Sequence, residues 1–169
     1  MNLNESQIRA IVENVVNQMV GGSTTGGVAL GGDHGGYKLK DYILEGLKKS
    51  GYTVVDCGTN SDESVDYPDF AAAVARKVAS GECEWGIIVD SAGIGSSIAA
   101  NKVDGVRAAL CYSEQTVKNS RLHNDANVLT LGSRFHEPAE ALQLAELWLK
   151  TEFEGGRHQK RIDKIMALE

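Results

Sequence analysis

Short apolar segments alternate with amphipathic ones from Val28 onward, and this alternation restricts the possible folds more than any other feature of the chain. Each apolar segment has the length of a strand, and the residues after it place apolar side chains at helical spacing. Alternating strands and helices build parallel βαβ units. The sequence therefore predicts an α/β domain over residues 28–169 with a doubly wound parallel sheet. The five predicted strands are VALGGD, YTVVDCG, WGIIVD, VRAALCY and ANVLTLGS.

The first 27 residues follow a different pattern. Residues 1–20 carry one apolar stripe at helical spacing, formed by Ile8, Ile11, Val12, Val15, Val16 and Met19. Residues 21–27 are rich in Gly, Ser and Thr and are typical of a flexible linker. Such an amphipathic helix either packs on its own domain or in an oligomer, or it docks on another protein through residues 5–19.

Charge and cysteine content exclude several classes of partner. The chain has 17 Lys and Arg against 23 Asp and Glu, a net charge of −6, which argues against nucleic acid or an anionic membrane as the main partner. Three cysteines without metal-ligand spacing favour a reduced, cytoplasmic protein without a metal site. No apolar run approaches the ~20 residues of a membrane helix, and we expect no secretory signal.

Polar clusters follow the predicted strands, and we expect them at the carboxyl ends of the strands, where such sheets bind ligands. In GGDHGGYK, glycine pairs flank Asp33 and His34, which indicates that some group approaches the backbone closely and favours a functional site. The alternative is a capped turn, with Asp33 as the N-cap. Tyr67, which stands before Pro68, is by itself typical of a loop aromatic.

The segment VDSAGIGSSIAANK predicts an anion-binding turn after the third strand. Gly93 and Gly95 lead into a helix whose first N–H groups and dipole attract an anion. The pair is not a dinucleotide fingerprint, because a third glycine and a distal acid are missing. Asp90 stands at the mouth of this turn, where a carboxylate is unexpected beside an anion.

Two further clusters supply histidine and arginine. RLHNDAN places His123 beside Asn124, an arrangement suited to acid–base chemistry and hydrogen bonding. Arg134 follows the fifth strand, and EGGRHQKR holds Arg157 and Arg161 after a glycine pair. In an acidic chain these arginines predict a phosphate site, since the guanidinium binds phosphate with a planar fork. The alternative for EGGRHQKR is a solvated basic run.

Together these segments closely resemble the ribose-5-phosphate isomerase B family, which also includes the galactose-6-phosphate isomerase subunits. The resemblance covers residues 28 to about 165 and is carried by GGDHGGYKLK, GTNSDESVDYPDFA, GIGSSIAANKVDGVRAAL, HNDANVLTLGSR and EGGRHQKR. It implies a Rossmann-like three-layer α/β/α domain that forms a homodimer or a dimer of dimers, with active sites between protomers. It also implies aldose–ketose isomerisation of a sugar phosphate through an enediolate, without a metal or cofactor.

The resemblance implies a role for each matching residue. His123 resembles the residue that opens the furanose ring by proton transfer, and Asn124 and Asp33 resemble its helpers at the sugar oxygens. Tyr67 resembles a sugar-contacting tyrosine. The family's phosphate site corresponds to His34, Arg134, Arg157 and Arg161, with the arginines reaching across from the partner chain. The backbone amides from Gly93 to Ser97, which include those of Gly95 and Ser96, resemble a cradle for the enediolate oxygen.

The chain departs from the family at the position of the base. Most members have Cys-Gly-Thr-Gly where this chain has Asp90-Ser91-Ala92-Gly93, and that Cys moves the proton between C1 and C2. A second branch has Glu where Ser96 stands. An Asp at this position resembles one subunit type of the heteromeric galactose-6-phosphate isomerases. Two hypotheses follow: Asp90 is the base of an active isomerase, or the chain is a silent sugar-phosphate binder or the non-basic subunit of a hetero-oligomer.

The amphipathic segment and its linker have no counterpart in ordinary members of this family. By pattern rather than by residue identity, residues 1–20 resemble the encapsulation peptides that load enzymes into bacterial microcompartments. This resemblance implies a shell or cargo protein as partner and a location inside a compartment of the cytoplasm.

Overall fold

The computed structural model describes residues 26–169, and the predicted sheet is confirmed. Five strands pair in parallel in the order β2–β1–β3–β5–β4. They are β1 Val28–Gly32, β2 Val54–Asp56, β3 Trp85–Asp90, β4 Ala108–Leu110 and β5 Val128–Gly132. From β1 the chain passes to β2 on one side, and the later strands β3, β5 and β4 lie on the other side of β1. The carboxyl ends of β1 and β3 therefore form the switch point at which such sheets open a ligand crevice.

Residues 26–169 form six α-helices, four between successive strands and two after the last strand, with a 3₁₀ turn at Gly156–His158 before the last helix. They are α1 Tyr37–Lys49, α2 Tyr67–Ala79, α3 Ile94–Ala100, α4 Glu114–Asn124, α5 Pro138–Lys150 and α6 Gln159–Met166. Pro68 and Pro138 stand in the first turns of α2 and α5, where the missing N–H costs no hydrogen bond. Ser113 and Thr116 form a reciprocal capping box at the start of α4.

Helices cover both faces of the sheet, and each face has its own apolar core. On one face the strands pack against α1, α4 and α5, with Ile43, Val117 and Trp148 fully buried. On the other face they pack against α2 and α3, and Val74 is central there. The three layers confirm the predicted Rossmann-like α/β/α architecture.

The direction of α4 decides where two of the polar clusters lie. This helix starts after the carboxyl end of β4 and ends just before the amino end of β5, so His123 and Asn124 in its last turn lie at the amino end of the sheet. The segment after α5 lies at the same end, because the Glu154 N–H donates to the Leu122 carbonyl at 3.0 Å. The expectation that all clusters share the carboxyl ends is therefore wrong for HNDAN and GGRHQKR.

The predicted docking helix of residues 1–20 and most of the linker of residues 21–27 lie outside the described residues. The described part begins at Gly26, and the Val28 N–H at the start of β1 donates to the Thr53 carbonyl at 2.9 Å. Among the helices of residues 26–169, none has both the length and the hydrophobicity needed to cross a bilayer.

Candidate active site

Three loops meet at the carboxyl ends of β1, β3 and β5. The turn after β1 packs directly on the end of β3: a Cβ on Gly36 would lie 2.0 Å from the Val89 carbonyl oxygen, and one on Gly35 would lie 2.2 Å from Ser91 Oγ. From the loop after β5, Ser133 Oγ donates to the Gly35 carbonyl at 2.7 Å. The close approach predicted at these glycines is therefore made by neighbouring loops of the chain itself.

Asp33 and His34 are held in different ways within the turn after β1. Asp33 is nearly buried, and its Oδ1 accepts a hydrogen bond from the Gly36 N–H at 2.9 Å, so it caps the turn that leads into α1. His34 is exposed, and its Nδ1 accepts from the Val65 N–H at 3.1 Å. The same Nδ1 lies 3.2 Å from the Val65 carbonyl oxygen, so the backbone of Val65 fixes the position of the ring.

The carboxylate of Asp90 fills the anion-binding turn at the end of β3. It is 5% exposed and has four donors. Its Oδ1 accepts from the N–H groups of Ala92, at 2.7 Å, and Gly93, and its Oδ2 accepts from the N–H of Ser96 at 3.1 Å and from the Ser96 hydroxyl. The group at the mouth of this turn is thus the chain's own carboxylate, and all four donors are directed at it.

The same turn leaves fewer free amides than the family resemblance implies. The N–H groups of Gly93 and Ser96 point at the carboxylate of Asp90, and the Ser97 N–H donates to the Gly93 carbonyl at 3.1 Å. The expectation of a cradle running from Gly93 to Ser97 is therefore wrong for these three amides. Within the described residues, the amides of Ile94 and Gly95 have no hydrogen-bond partner and stay available to an anion.

Two tyrosines and an arginine border this turn. The ring of Tyr67, at the start of α2, lies so close to Gly95 that a Cβ there would be 2.6 Å from ring atoms. Tyr112, which follows β4, donates from its hydroxyl to the Ala92 carbonyl at 2.7 Å. The backbone N–H of Arg134 donates to the carbonyl of residue 91 at 3.2 Å, and its side chain is exposed.

The second cluster, at the amino end of the sheet, joins α4 to the segment after α5. The imidazole rings of His123 and His158 stack with their centroids 4.2 Å apart and their planes at 6°. One carboxylate oxygen of Glu154 lies 3.4 Å from Nε2 of His123 and 3.8 Å from Nε2 of His158. The Nδ1 of His123 is 2.9 Å from the amide nitrogen of Asn119.

Positive charge borders the histidine pair. Gly155 and Gly156 both have a left-handed φ, of 69° and 56°, and this turn brings Arg157 against the pair. The Nε of Arg157 lies 3.5 Å from Nε2 of His158, and both Arg157 and Arg161 are exposed to solvent. Asn124 ends α4 at the same place, with its amide nitrogen 3.2 Å from the carbonyl of residue 119. The cluster therefore offers two guanidinium groups and an amide beside two imidazoles.

Burial changes the titration of several groups. It lowers the pKa of His158 below its ordinary value of 6.5, and the neighbouring His123 lowers it further, while Glu154 opposes the shift. Burial raises the pKa of all three thiols, those of Cys57, Cys83 and Cys111. The thiols are therefore kept protonated, so none of them supplies a thiolate base in place of the family's cysteine.

Three residues of these clusters were not predicted as site residues from the sequence. His158 lies inside the basic motif EGGRHQKR, and Glu154 stands four residues before it. The sequence does not reveal their contact with His123, because packing between two separate segments produces no periodic pattern of residues. Tyr112 could have been found, because it follows the fourth strand at the end of the sheet where the other loops meet.

One chain does not bring all the predicted site residues together. The residues at the carboxyl ends of the strands are Asp33, His34, Tyr67, Asp90, Gly93, Gly95, Ser96 and Arg134. Those at the amino end are His123, Asn124, Arg157 and Arg161. The first group offers carboxylates and free amides, and the second offers imidazoles and guanidinium groups.

The chain is similar to several known proteins. The ribose/galactose isomerase family model matches residues 28–165. Ribose-5-phosphate isomerase B of Escherichia coli K12 is 45% identical over 142 residues, which cover 84% of this chain and 95% of that protein. The solved structure of ribose-5-phosphate isomerase B from Clostridium thermocellum has a TM-score of 0.82 and 52% identity, covering 83% of this chain and 95% of that one. The enzyme from Mycoplasma genitalium, solved with bound ribulose-5-phosphate, has a TM-score of 0.81 and 46% identity, covering 84% and 95%.

Proposed function

The chain belongs to the ribose/galactose isomerase family, and on that premise we propose that it interconverts an aldose phosphate and a ketose phosphate, of the ribose 5-phosphate and ribulose 5-phosphate type. The observation that carries the proposal is the complementarity of the two clusters. Carboxylates and free amides lie at one end of the sheet, and imidazole and guanidinium groups lie at the other. An enediolate mechanism needs both sets, the first to move a carbon-bound proton and the second to hold phosphate and open the sugar ring.

The separation of the clusters supports a site shared by two chains. Helix α4 runs for 11 residues from the carboxyl end of β4 to the amino end of β5, and at about 1.5 Å per residue it is about 16 Å long. Two copies related by a two-fold axis would place the carboxyl-end cluster of one chain against the amino-end cluster of the other, twice. We therefore propose a homodimer, alone or as half of a dimer of dimers, with two equivalent sites.

Apolar residues on the surface are consistent with this interface. Ile94 and Ile98 on α3 and Phe135 after β5 are more than half exposed, and they border the carboxyl-end loops. Burying such side chains against a second copy would stabilise the dimer by about 25 cal/mol for each Å² of apolar surface removed from water. The same contact would close the site to solvent, which strengthens the hydrogen bonds and charges inside it.

Each group then has a defined task in the reaction. His123 takes the proton of the sugar O1 and returns a proton to the ring oxygen as the C1–O bond of the furanose breaks. When the C2 proton is removed, the electron pair of the C2–H bond forms a C1–C2 double bond, and the former carbonyl oxygen becomes an oxyanion. The free amides of Ile94 and Gly95 stabilise that oxyanion. The phosphate is held by His34, Arg134, Arg157 and Arg161, and the sugar hydroxyls by Tyr67, Asn124 and Asp33.

We propose Asp90 as the group that moves the carbon-bound proton. It occupies the position of the family's cysteine, and the chain's own thiols are kept protonated by burial. Of the four donors on its carboxylate, three are fixed backbone N–H groups, and the Ser96 hydroxyl is the one that can rotate away. Rotation of that hydroxyl frees a lone pair of Oδ2 for the proton from C2.

A domain arrangement with a docking segment completes the proposal. We propose that residues 1–20 dock on a microcompartment shell or cargo protein, that residues 21–27 are the tether, and that residues 28–169 are the isomerase domain. The support is the apolar stripe of the sequence, which includes Ile8 and Val12 and cannot be buried within one helix.

A turnover assay on the purified full chain tests the activity. Aldose and ketose pentose phosphates and hexose phosphates are offered in both directions, and the isomerised sugar is measured. We expect turnover of at least one pair without any second protein. No turnover on any of them, together with retained sugar-phosphate binding, would contradict the proposal in favour of a silent binder or the non-basic subunit of a hetero-oligomer.

A further inference from the structure

We propose that His123, Glu154 and His158 form a binding site for a divalent cation of the zinc class, and that the bound cation inhibits the isomerase. Two imidazole nitrogens and one carboxylate oxygen are a ligand set that Zn²⁺ takes in enzymes. The ligand atoms of this trio all lie within 4.8 Å of one another, and no thiol takes part. The inhibitory consequence rests on the proposed function, because it requires that His123 move protons of the sugar.

The distances fit a small tetrahedral ion. With metal–ligand bonds of about 2.0–2.1 Å, two ligands of a tetrahedral site are about 3.4 Å apart. The Glu154 oxygen is 3.4 Å from Nε2 of His123 and 3.8 Å from Nε2 of His158. The third separation, between the two imidazole nitrogens, is within 4.8 Å, so one ring must move before all three atoms can share one ion. A fourth position stays open to water or a substrate oxygen.

Two local adjustments accompany binding. The rings are parallel to within 6°, so one of them must turn until both lone pairs point to the same place. His123 can do so, because it lies at the surface while His158 is buried. A metal on Nε2 leaves the proton on Nδ1, which then needs an acceptor. The side-chain amide of Asn119, 2.9 Å away, supplies its oxygen after a flip.

The surrounding charges set the choice of ion. The positive charges of Arg157 and Arg161 repel a cation, and Arg157 competes with it for Nε2 of His158. A hard cation, which nitrogen ligands hold only weakly, is therefore excluded. Nitrogen ligands favour Zn²⁺, Cu²⁺ and Ni²⁺ over Mg²⁺ and Ca²⁺, which prefer all-oxygen sites.

The test measures zinc binding directly. The full chain is stripped with a chelator, dialysed against ZnCl₂ in a phosphate-free buffer, and analysed for bound metal. We expect saturable binding that Mg²⁺ does not displace, weakened at least about tenfold by Glu154→Gln, since even outer-shell changes cost about 10–100-fold in affinity. The matched control is Glu152→Gln, an exposed glutamate two residues earlier, which should bind as the wild type does. Equal binding by both variants, or no binding by the wild type, would overturn the site.

Two further readouts identify the metal's ligands and its effect on turnover. Co²⁺ in place of zinc should give a spectrum without a thiolate charge-transfer band; a band of that kind would assign the metal to cysteine and overturn the proposal. Isomerase activity should fall as zinc binds, and Glu154→Gln should resist zinc relative to its own metal-free rate. Zinc binding by a chain without turnover supports the site and contradicts the proposed function, whereas turnover that saturating zinc does not affect overturns the inhibition.

Discussion

The imidazole rings of His123 and His158 lie almost parallel, 4.2 Å apart, and join two motifs that are 35 positions apart in the chain. Burial lowers the pKa of His158, and the neighbouring His123 and Arg157 lower it further. The stack therefore affects how the stability of the domain depends on pH, and it fixes the position of His123, the proposed catalytic histidine.

Acid should weaken the fold through His158. Its pKa in the folded chain lies below 6.5, chiefly because of burial and then because of His123, so the unfolded chain binds a proton that the folded chain refuses. This contribution to stability is complete above about pH 6.5 and is lost as the pH falls toward the lowered pKa. Urea unfolding between about pH 5 and about pH 8 should show a smaller loss of stability at low pH for His158→Gln than for the wild type. An identical pH slope for the two proteins would contradict the prediction.

The sheet could be predicted because strands and helices have different hydrophobic periods. Every predicted strand is present. His123 directly precedes the fifth predicted strand, and a residue just before a strand lies at the amino end of that strand. The expectation that His123 joins the carboxyl-end loops is therefore corrected by following the direction of the chain through α4.

Contacts between distant loops could not be predicted from the sequence. A glycine pair signals close approach but not what approaches, and for Gly35 and Gly36 it is the end of β3. In the same way, the amides after Asp90 signalled an anion site, and only the structure shows that Asp90 itself occupies it. The stack of His123 on His158 depends on the position of the segment after α5, for which no local pattern exists.

Arg157→Ala should weaken binding of a sugar phosphate. Loss of a charge-assisted hydrogen bond to phosphate costs about 1.5–3 kcal/mol of binding free energy. Isothermal titration with the best substrate checks the prediction, and Arg76→Ala, which removes an exposed arginine of α2, is the matched control. Unchanged affinity of Arg157→Ala would remove this arginine from the proposed phosphate site.

Deletion of residues 1–26 should leave the isomerase domain intact while abolishing recruitment to a partner. The described domain begins with β1 at Val28, and the described residues supply two apolar cores, one on each face of the sheet. Thermal melting and turnover of the truncated chain check the domain, and co-purification with a shell protein of the host checks recruitment. If the truncated chain unfolds or dissociates to monomers, the segment is structural and the docking proposal fails.

A site shared by two chains predicts complementation between inactive variants. His123→Asn disables the amino-end cluster and Asp90→Asn disables the carboxyl-end cluster, so each homodimer should be inactive. In a mixed dimer, one site carries both substitutions and the other carries neither. Random mixing should therefore restore about a quarter of the wild-type activity. Each variant refolded alone is the control, and a mixture as inactive as its components would indicate that the site lies within one chain.

Asp90→Asn tests the base itself. The amide keeps the shape of the side chain but removes the proton acceptor, so kcat should fall by at least ~10²-fold. Sugar-phosphate affinity should change little, because the phosphate groups are held elsewhere. The amide cannot accept as many hydrogen bonds from the turn, so the variant is assayed well below its melting temperature. A variant with wild-type turnover would show that another group moves the proton.

Ser96→Ala separates catalysis by Asp90 from its structural role in the turn. The substitution removes the one mobile donor on Oδ2 and keeps the backbone N–H groups that hold Asp90 in place. If Asp90 is the base, kcat should be maintained or raised, because the lone pair that takes the proton is no longer occupied. If Asp90 only stabilises the turn, Asp90→Asn should leave kcat unchanged. Asp90→Asn and Ser96→Ala should then both lower the melting temperature. Asp90→Cys, which restores the residue found in most of the family, should keep turnover in the first case.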